Sequence, residues 1–298
     1  MIGPRDILIG IVLPMVFAAV CLVLVARPWG RGSRMHAALG WVLAVALGYG
    51  AAHLGLEGVP GEPLESQDWI LLALLPGAVL IAILQVVPSV PRGIVWAARV
   101  LLGAGMPVVL LLSYLRQVGE PWAVWTAVDA MMWLGGLGAV CSVVWVCLAR
   151  LERHDPGRSL PLGIGCAAGA AGLTVLMSAS QSIGQLGLAL AAALLGATLG
   201  SIGLKRSDAA AGSTAIAPLV LMAVVIVGHF YAELTAANAL LLLLAPLGAW
   251  VGQVPQVRRR PTWQCGLVRV GAVAVPAVIA VVLAAITFRR EISDPGYY

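Results

Sequence analysis

Charge is what this chain has least of. Asp, Glu, Lys and Arg make up 10% of its 298 residues, and lysine occurs once, as Lys205, beside seventeen arginines. Soluble domains carry about a quarter charged residues. With 61% of residues hydrophobic, the apolar surface exceeds what one core can hide. Composition therefore excludes an ordinary water-soluble fold, and lipid is the solvent that suits it. The net charge of +5 would suggest nucleic acid in a soluble chain. Here the basic residues stand at the ends of apolar runs, so they read as orientation signals and no nucleic-acid partner is expected.

Catalytic signatures are missing as well. There is no Gly-Lys-Ser/Thr phosphate loop, no Gly-x-Ser-x-Gly elbow, no His-Glu-x-x-His and no Cys-x-x-Cys-His, so the chemistry those spacings support is not indicated. No connection is long enough to fold as a catalytic domain, and any catalysis would be intramembrane. The five cysteines, Cys21, Cys141, Cys147, Cys166 and Cys265, fall in or beside apolar runs. They read as small core residues rather than disulfides.

What is present is a succession of apolar runs, each long enough for about 30 Å of hydrocarbon. They lie at about 7–26, 37–56, 69–87, 94–115, 122–149, 160–179, 183–204, 215–234, 238–254 and 265–288. The expected fold is all-α, a polytopic transmembrane helix bundle of about ten spans. The first run lacks a cleavage site and is expected to stay as a helix. The ninth is the shortest. Pro14, Pro76, Pro107, Pro246 and Pro276 fall inside spans, where each frees a carbonyl and predicts a kink. Trp29, Trp41, Trp69, Trp96, Trp122 and Trp263 lie near span ends, the depth an indole prefers.

Fourteen of the eighteen basic residues fall in the odd-numbered connections, whereas Arg5, Arg116, Arg289 and Arg290 fall on the other side. The positive-inside rule then places the odd connections in the cytoplasm and both termini outside, in a cell membrane. The connection from Glu57 to Asp68, with Glu62 and Glu65, is the acidic exterior loop.

A polar motif recurs. His53 and Glu57 close the second run, and His229 and Glu233 close the eighth, 176 residues later. Each pair is four apart on one helix face. Around them Pro76 matches Pro246, Arg99 matches Arg269 and Pro107 matches Pro276 in order, with drifting gaps. This suggests two similarly oriented four-span modules, 1–116 and 183–288, flanking a two-span hairpin, 117–182, with a short polar tail, 289–298. An inverted five-plus-five duplication does not fit that parity. Leu-, Ala- and Pro-rich helices would also align by composition alone. Parallel repeats occur in transporters, with sites at the repeat interface.

The candidate site residues are the few ionisable groups near these runs. Asp129 lies two turns in from Pro121, roughly 12 Å at 1.5 Å per residue. It reads either as a coupling acid or as a hydrogen-bonded contact between helices. His53, Glu57, His229 and Glu233 could bind a divalent metal such as zinc or iron if their helices converge, could titrate as His–Glu pairs, or could be polar residues collected at the headgroup layer. Gln181 and Gln185, with Thr174 and Ser178, form a polar stripe at the same level and serve equally as interhelical glue. Gly165, Gly169, Gly172, Gly196, Gly200 and Gly203 supply small faces for close helix approach.

The function these observations favour is a secondary transporter or permease of a small solute, with its polar site on the exterior side. An intramembrane metal-dependent enzyme and a non-catalytic structural or sensory subunit are the alternatives. The lipid bilayer is the expected partner. No cofactor is required beyond that metal, and protein partners are not specified by the sequence.

Overall fold

A computed structural model describes residues 3–26, 34–62, 64–87, 89–121, 123–154, 157–202 and 212–293. Arg27, Arg31, Lys205, Arg206, Trp29, Trp122, Gly203 and the 294–298 tail lie outside them. Among the described residues the secondary structure is helical throughout. Ten main helices follow in order: α1 Pro4–Val25, α2 Ala38–Glu57, α3 Ile70–Gln85, α4 Arg92–Leu110, α5 Ala127–His154, α6 Ser159–Ser178, α7 Gln181–Ile202, α8 Ser213–Tyr231, α9 Ala236–Gln253 and α10 Thr262–Arg290. All but α3 are long and apolar enough to cross a membrane, which makes nine such helices among the described residues, a set compatible with a multi-pass helical membrane bundle.

Proline explains the irregular windings. Leu8–Val12 and Ile70–Leu74 are wound as wider π turns, and each ends two residues before a proline, Pro14 or Pro76. Proline has no N–H, and its ring collides with the carbonyl four residues back; the wider turn bonds Leu13 to Leu8 and Leu75 to Ile70 instead. In α9 the chain tightens to a 3-10 helix over the nine residues Ala245–Gln253, starting at Pro246. At about 2.0 Å per residue there and 1.5 Å over the preceding α-helical half, the short ninth run still reaches roughly 31 Å. Helix α3 has no such gain and is roughly 24 Å long at 1.5 Å per residue.

Helix α8 is the hub, packed by α2, α3, α4, α5, α6, α7 and α9. Of its most apolar stretch 89% is buried, against 22% for α1 and for α10. The latter two lie outside the ring, α1 on α2 and α7, and α10 on α6 and α9. Their outward rows, including Val16, Phe17 and Val20 on α1 and Val275, Ile279 and Val282 on α10, remain exposed, as lipid-facing rows would. Helices of both expected modules thus share the one ring around α8.

Side-chain bonds between elements sort into two ends, as successive antiparallel helices require. At one end Asp6 meets Gln181, Glu57 meets Ser182, and Ser113 meets Tyr231. At the other, Glu152 meets Thr214, and Arg158 donates to the Ser201 carbonyl. We call them the acidic and the basic end, after the 58–69 connection and the 254–261 connection.

Several expected boundaries move. The fifth helix begins and ends later than expected, so Glu152 and Arg153 belong to it. The fourth stops at Leu110, one turn after Pro107, and resumes as a short helix, Leu112–Gln117. Trp41 is fully buried among the core side chains rather than at an interface. The cysteines are free.

Helix contact is closest where side chains are missing. A Cβ on Gly172 would lie 2.7 Å from both the Gly184 carbonyl oxygen and the Leu188 nitrogen, so α6 and α7 touch through backbone. A Cβ on Gly196 would overlap the Met15 carbonyl of α1. Gly196→Leu is therefore expected to force α1 off α7 and to destabilise the protein by about 1–3 kcal/mol or more. Gly135→Ala, which meets open space, is expected to keep stability or raise it by up to about 1 kcal/mol, since alanine is the better helix residue. Thermal melts of the two purified variants against wild type check this.

Candidate functional site

Tyr49, His53 and Glu57 recur one turn apart on α2, so they form one stripe along the helix. At its outer end Glu57 accepts a hydrogen bond from Ser182 of α7 and another, 3.0 Å long, from Gln67. Gln67 also donates to Glu65 at 3.1 Å, and Asp68 accepts from the Glu65 amide at 2.8 Å. The 58–69 connection is thereby tied down over the stripe. One turn below, His53 is 0% exposed. Its Nε2 lies 3.9 Å from the nearer Asp68 oxygen, beyond hydrogen-bond length. Its ring centroid is 6.0 Å from that of Tyr49.

Helix α7 meets this end of α2: Ser182 stands opposite Glu57, and Gln185, one turn further along α7, is also buried. Tyr49 Oη, both His53 ring nitrogens and Gln185 Nε2 are buried without a hydrogen-bond partner among the described residues. Such atoms are unusual, because buried polar atoms are nearly always paired, and these are the ones near the Glu57 end of α2. Gln181, one turn outward, reaches Asp6 at 3.4 Å and is exposed.

The matching pair on α8 has a different environment. Its last turn closes when the Ala232 and Leu234 amides both bond the Gly228 carbonyl, each at 3.1 Å. Glu233 then takes φ +54°, the one non-glycine residue in the left-handed region among the described residues. This is a helix-closing turn in which glycine normally stands. His229 reinforces it: its Nδ1 is 2.6 Å from the Leu234 carbonyl and donates to it. Its ring joins an aromatic group with Phe230, at 4.8 Å, and Trp133, at 6.0 Å. His53 and Glu57 therefore meet the 58–69 connection and α7, while His229 and Glu233 close α8 among aromatic rings. Among the described residues no group of three or more His, Cys, Asp or Glu side chains could hold a metal ion.

Asp129 is not an acid deep in a span. Its carboxylate accepts from the Thr126 amide at 3.0 Å and the Thr126 hydroxyl at 2.7 Å, and the Asp129 amide points back to that hydroxyl at 3.2 Å. This reciprocal box caps the start of α5, and the pair is solvent-accessible. The helix begins five residues later than the apolar run suggests, which puts Asp129 in its first turn.

The buried acid is Glu152, near the basic end. It accepts from the Gly212 amide and the Thr214 hydroxyl at the start of α8, while Trp145 donates to the Thr214 carbonyl at 2.7 Å. Arg99, 1% exposed, donates to Gln85 and lies 5.6 Å from the Trp96 and Trp145 rings. The apolar-run boundary hid this group, because Glu152 follows an arginine and reads as a loop residue.

One further feature opens at the acidic end. A cavity of about 500 Å³ is lined by Glu62, Ser66 and Trp69 on one side, and by Leu112, Ser113 and Arg116 of the short helix on the other. Ser113 also shares a hydrogen bond with Tyr231 at the end of α8. The spacing of Ser113 and Arg116 on one helical face is visible in the sequence, but the approach of the 58–69 connection to them is not.

No protein-family model matches this chain, and no curated protein matches it either.

If Glu233 closes the helix, Glu233→Gly is expected to keep the fold and to stabilise it by about 1 kcal/mol, by removing the left-handed strain of a side-chain-bearing residue. A denaturation series on the purified variant checks this. A loss of stability would mean that the carboxylate itself holds the turn.

Proposed function

We propose that this chain is a secondary permease of the cell membrane that moves a small solute, with ten spans, both termini outside and the acidic end facing the exterior. One observation carries the proposal: the buried polar layer of Tyr49 and His53 on α2 and Gln185 on α7, toward the acidic end, whose polar atoms lack protein partners among the described residues. Each unpaired buried polar atom costs about 1–3 kcal/mol. A bundle that keeps several together is offset by something that visits them, a proton, water or solute, and an ionisable side chain at such depth marks a pathway. Glu57 and Asp68 stand above His53 at the mouth of this layer. They are the groups through which it would exchange protons with the acidic side, and His53 is the residue assigned to carry them.

The duplication belongs to the same proposal. Arg99 and Arg269, which occupy matching places, are both buried, 1% and 2% exposed, and each reaches a neighbouring element. Arg99 meets Gln85, and Arg269 donates to Ser159 at 3.1 Å. His229 and Glu233 are assigned to helix closure, so the two halves carry unequal roles. Asp129, as a helix cap, has no part in coupling.

Proteoliposomes loaded with a pH-sensitive dye and challenged with a panel of labelled amino acids, sugars and organic acids test the reading. Wild type is expected to take up at least one solute with proton movement. Combining Tyr49→Phe, His53→Ala and Gln185→Leu is expected to reduce that flux at least tenfold without unfolding the bundle, since three unpaired polar groups are removed. Flux that survives all three substitutions, or wild-type vesicles that move nothing in the panel, would remove the permease reading.

A further inference from the structure

The cavity at the acidic end holds two opposite charges that do not meet. Glu62 and Arg116 line it from different elements, both are exposed, and neither side chain has a hydrogen-bond or ion-pair partner among the described residues. Both charges are therefore open to a ligand in the cavity. Leu64, Trp69, Val109 and Leu112 add apolar surface to the lining, and Ser66 and Ser113 add polar residues. A volume of about 500 Å³ is within the usual range of small-molecule sites, roughly 300–1,000 Å³.

Charge decides what fits. An anion drawn to Arg116 meets the Glu62 carboxylate across the space, and a cation drawn to Glu62 meets the guanidinium. A neutral solute leaves both charges unused. Only a molecule carrying both signs satisfies the two walls at once. Arginine presents a planar fork that matches a carboxylate, and a carboxylate beside an indole suits an ammonium, which the ring face also attracts.

We propose that this cavity binds a small zwitterion with an apolar body, an apolar amino acid or a short apolar peptide. Its carboxylate lies on Arg116, its ammonium on Glu62 and its side chain on Trp69 and Leu112. The site rests on the permease reading for its purpose but not for its chemistry. Arg116 shares a short helix with Ser113, and the Ser113 hydroxyl is bonded to Tyr231, whose own hydroxyl donates to the Leu110 carbonyl at 3.2 Å. A ligand seated against this helix is therefore one side chain from the end of the central α8.

Equilibrium binding of labelled L-leucine and leucyl-leucine to the purified full-length protein in nanodiscs tests this. At least one probe is expected to bind saturably and to weaken as salt is raised, because the charges involved are exposed. Leucinamide, which lacks the carboxylate, and 4-methylpentanoate, which lacks the ammonium, are expected to compete about five- to tenfold less well. This comparison needs no variant. Glu62→Gln and Arg116→Gln, both at exposed positions, are each expected to weaken the probe by a similar factor. Absence of saturable binding by both probes, equal competition by the one-charge analogues, or binding indifferent to both substitutions would overturn the assignment. Binding here without flux in vesicles supports the cavity's assignment and removes the permease reading. Flux of another solute, with no zwitterion bound here, overturns the assignment and leaves the permease standing.

Discussion

Helix α8 has no face left for solvent of any kind, and the rest of the bundle is arranged to serve it. Every side chain from Ser213 to Gly228 is buried. A buried helix still has polar groups at both ends that need partners, and in lipid no water is available to supply them. At the basic end Glu152 takes the Gly212 amide and the Thr214 hydroxyl, and Trp145 donates to the Thr214 carbonyl. At the acidic end Tyr114 donates to the Phe230 carbonyl at 2.8 Å, and the Gly228 carbonyl accepts two amides. Helix α5 and the short helix after α4 thus hold α8 at opposite ends. The buried Glu152 carboxyl is part of that support, because the amide and the hydroxyl satisfy it where no water can.

The polar groups that remain after this anchoring are concentrated toward the acidic end. Tyr49 and His53 belong to α2 and Gln185 to α7, which both pack on α8, and the Glu62–Arg116 cavity abuts its last turn through Ser113 and Tyr231. The two features are lined by different residues but share the 58–69 connection, which gives Asp68 to one and Glu62, Ser66 and Trp69 to the other. The short, tightly bonded connection over Glu57, with Gln67 bridging Glu57 and Glu65, separates the enclosed layer from the open one.

Much of the architecture was legible because lipid imposes length and hydropathy on each span separately. The all-helical, multi-pass character and the approximate limits of most helices follow from the apolar stretches. What misled was local chemistry at the ends. Thr126-x-x-Asp129 is a capping pattern that could have been read as a helix start, which would have moved Asp129 out of the interior. Glu152 lies beyond the apolar run that ends near 149, with Arg150 and Arg153 around it, although α5 continues through all three. His229 and Glu233 mimic His53 and Glu57 in spacing. Spacing cannot show that one pair closes a helix at positive φ while the other faces a folded-back connection. Trp41 and Trp145 look like interface residues by type, yet both are fully buried, because a helix surrounded on all sides needs large side chains to fill its ring of neighbours. The cavity depends on contacts more than forty residues apart and leaves no local trace.

The central claim is that α8 is enclosed by protein on every side while α1 and α10 bound the bundle. A carbene-generating photolabel carried on lipid tails, followed by peptide mapping of the protein in native membranes, tests it most directly. The account predicts labelling along the outward rows of α1 and α10, and at Met131 and Met132 of α5, with none from Ser213 to Gly228. Labelling of α8 to the same extent as α1 would contradict it.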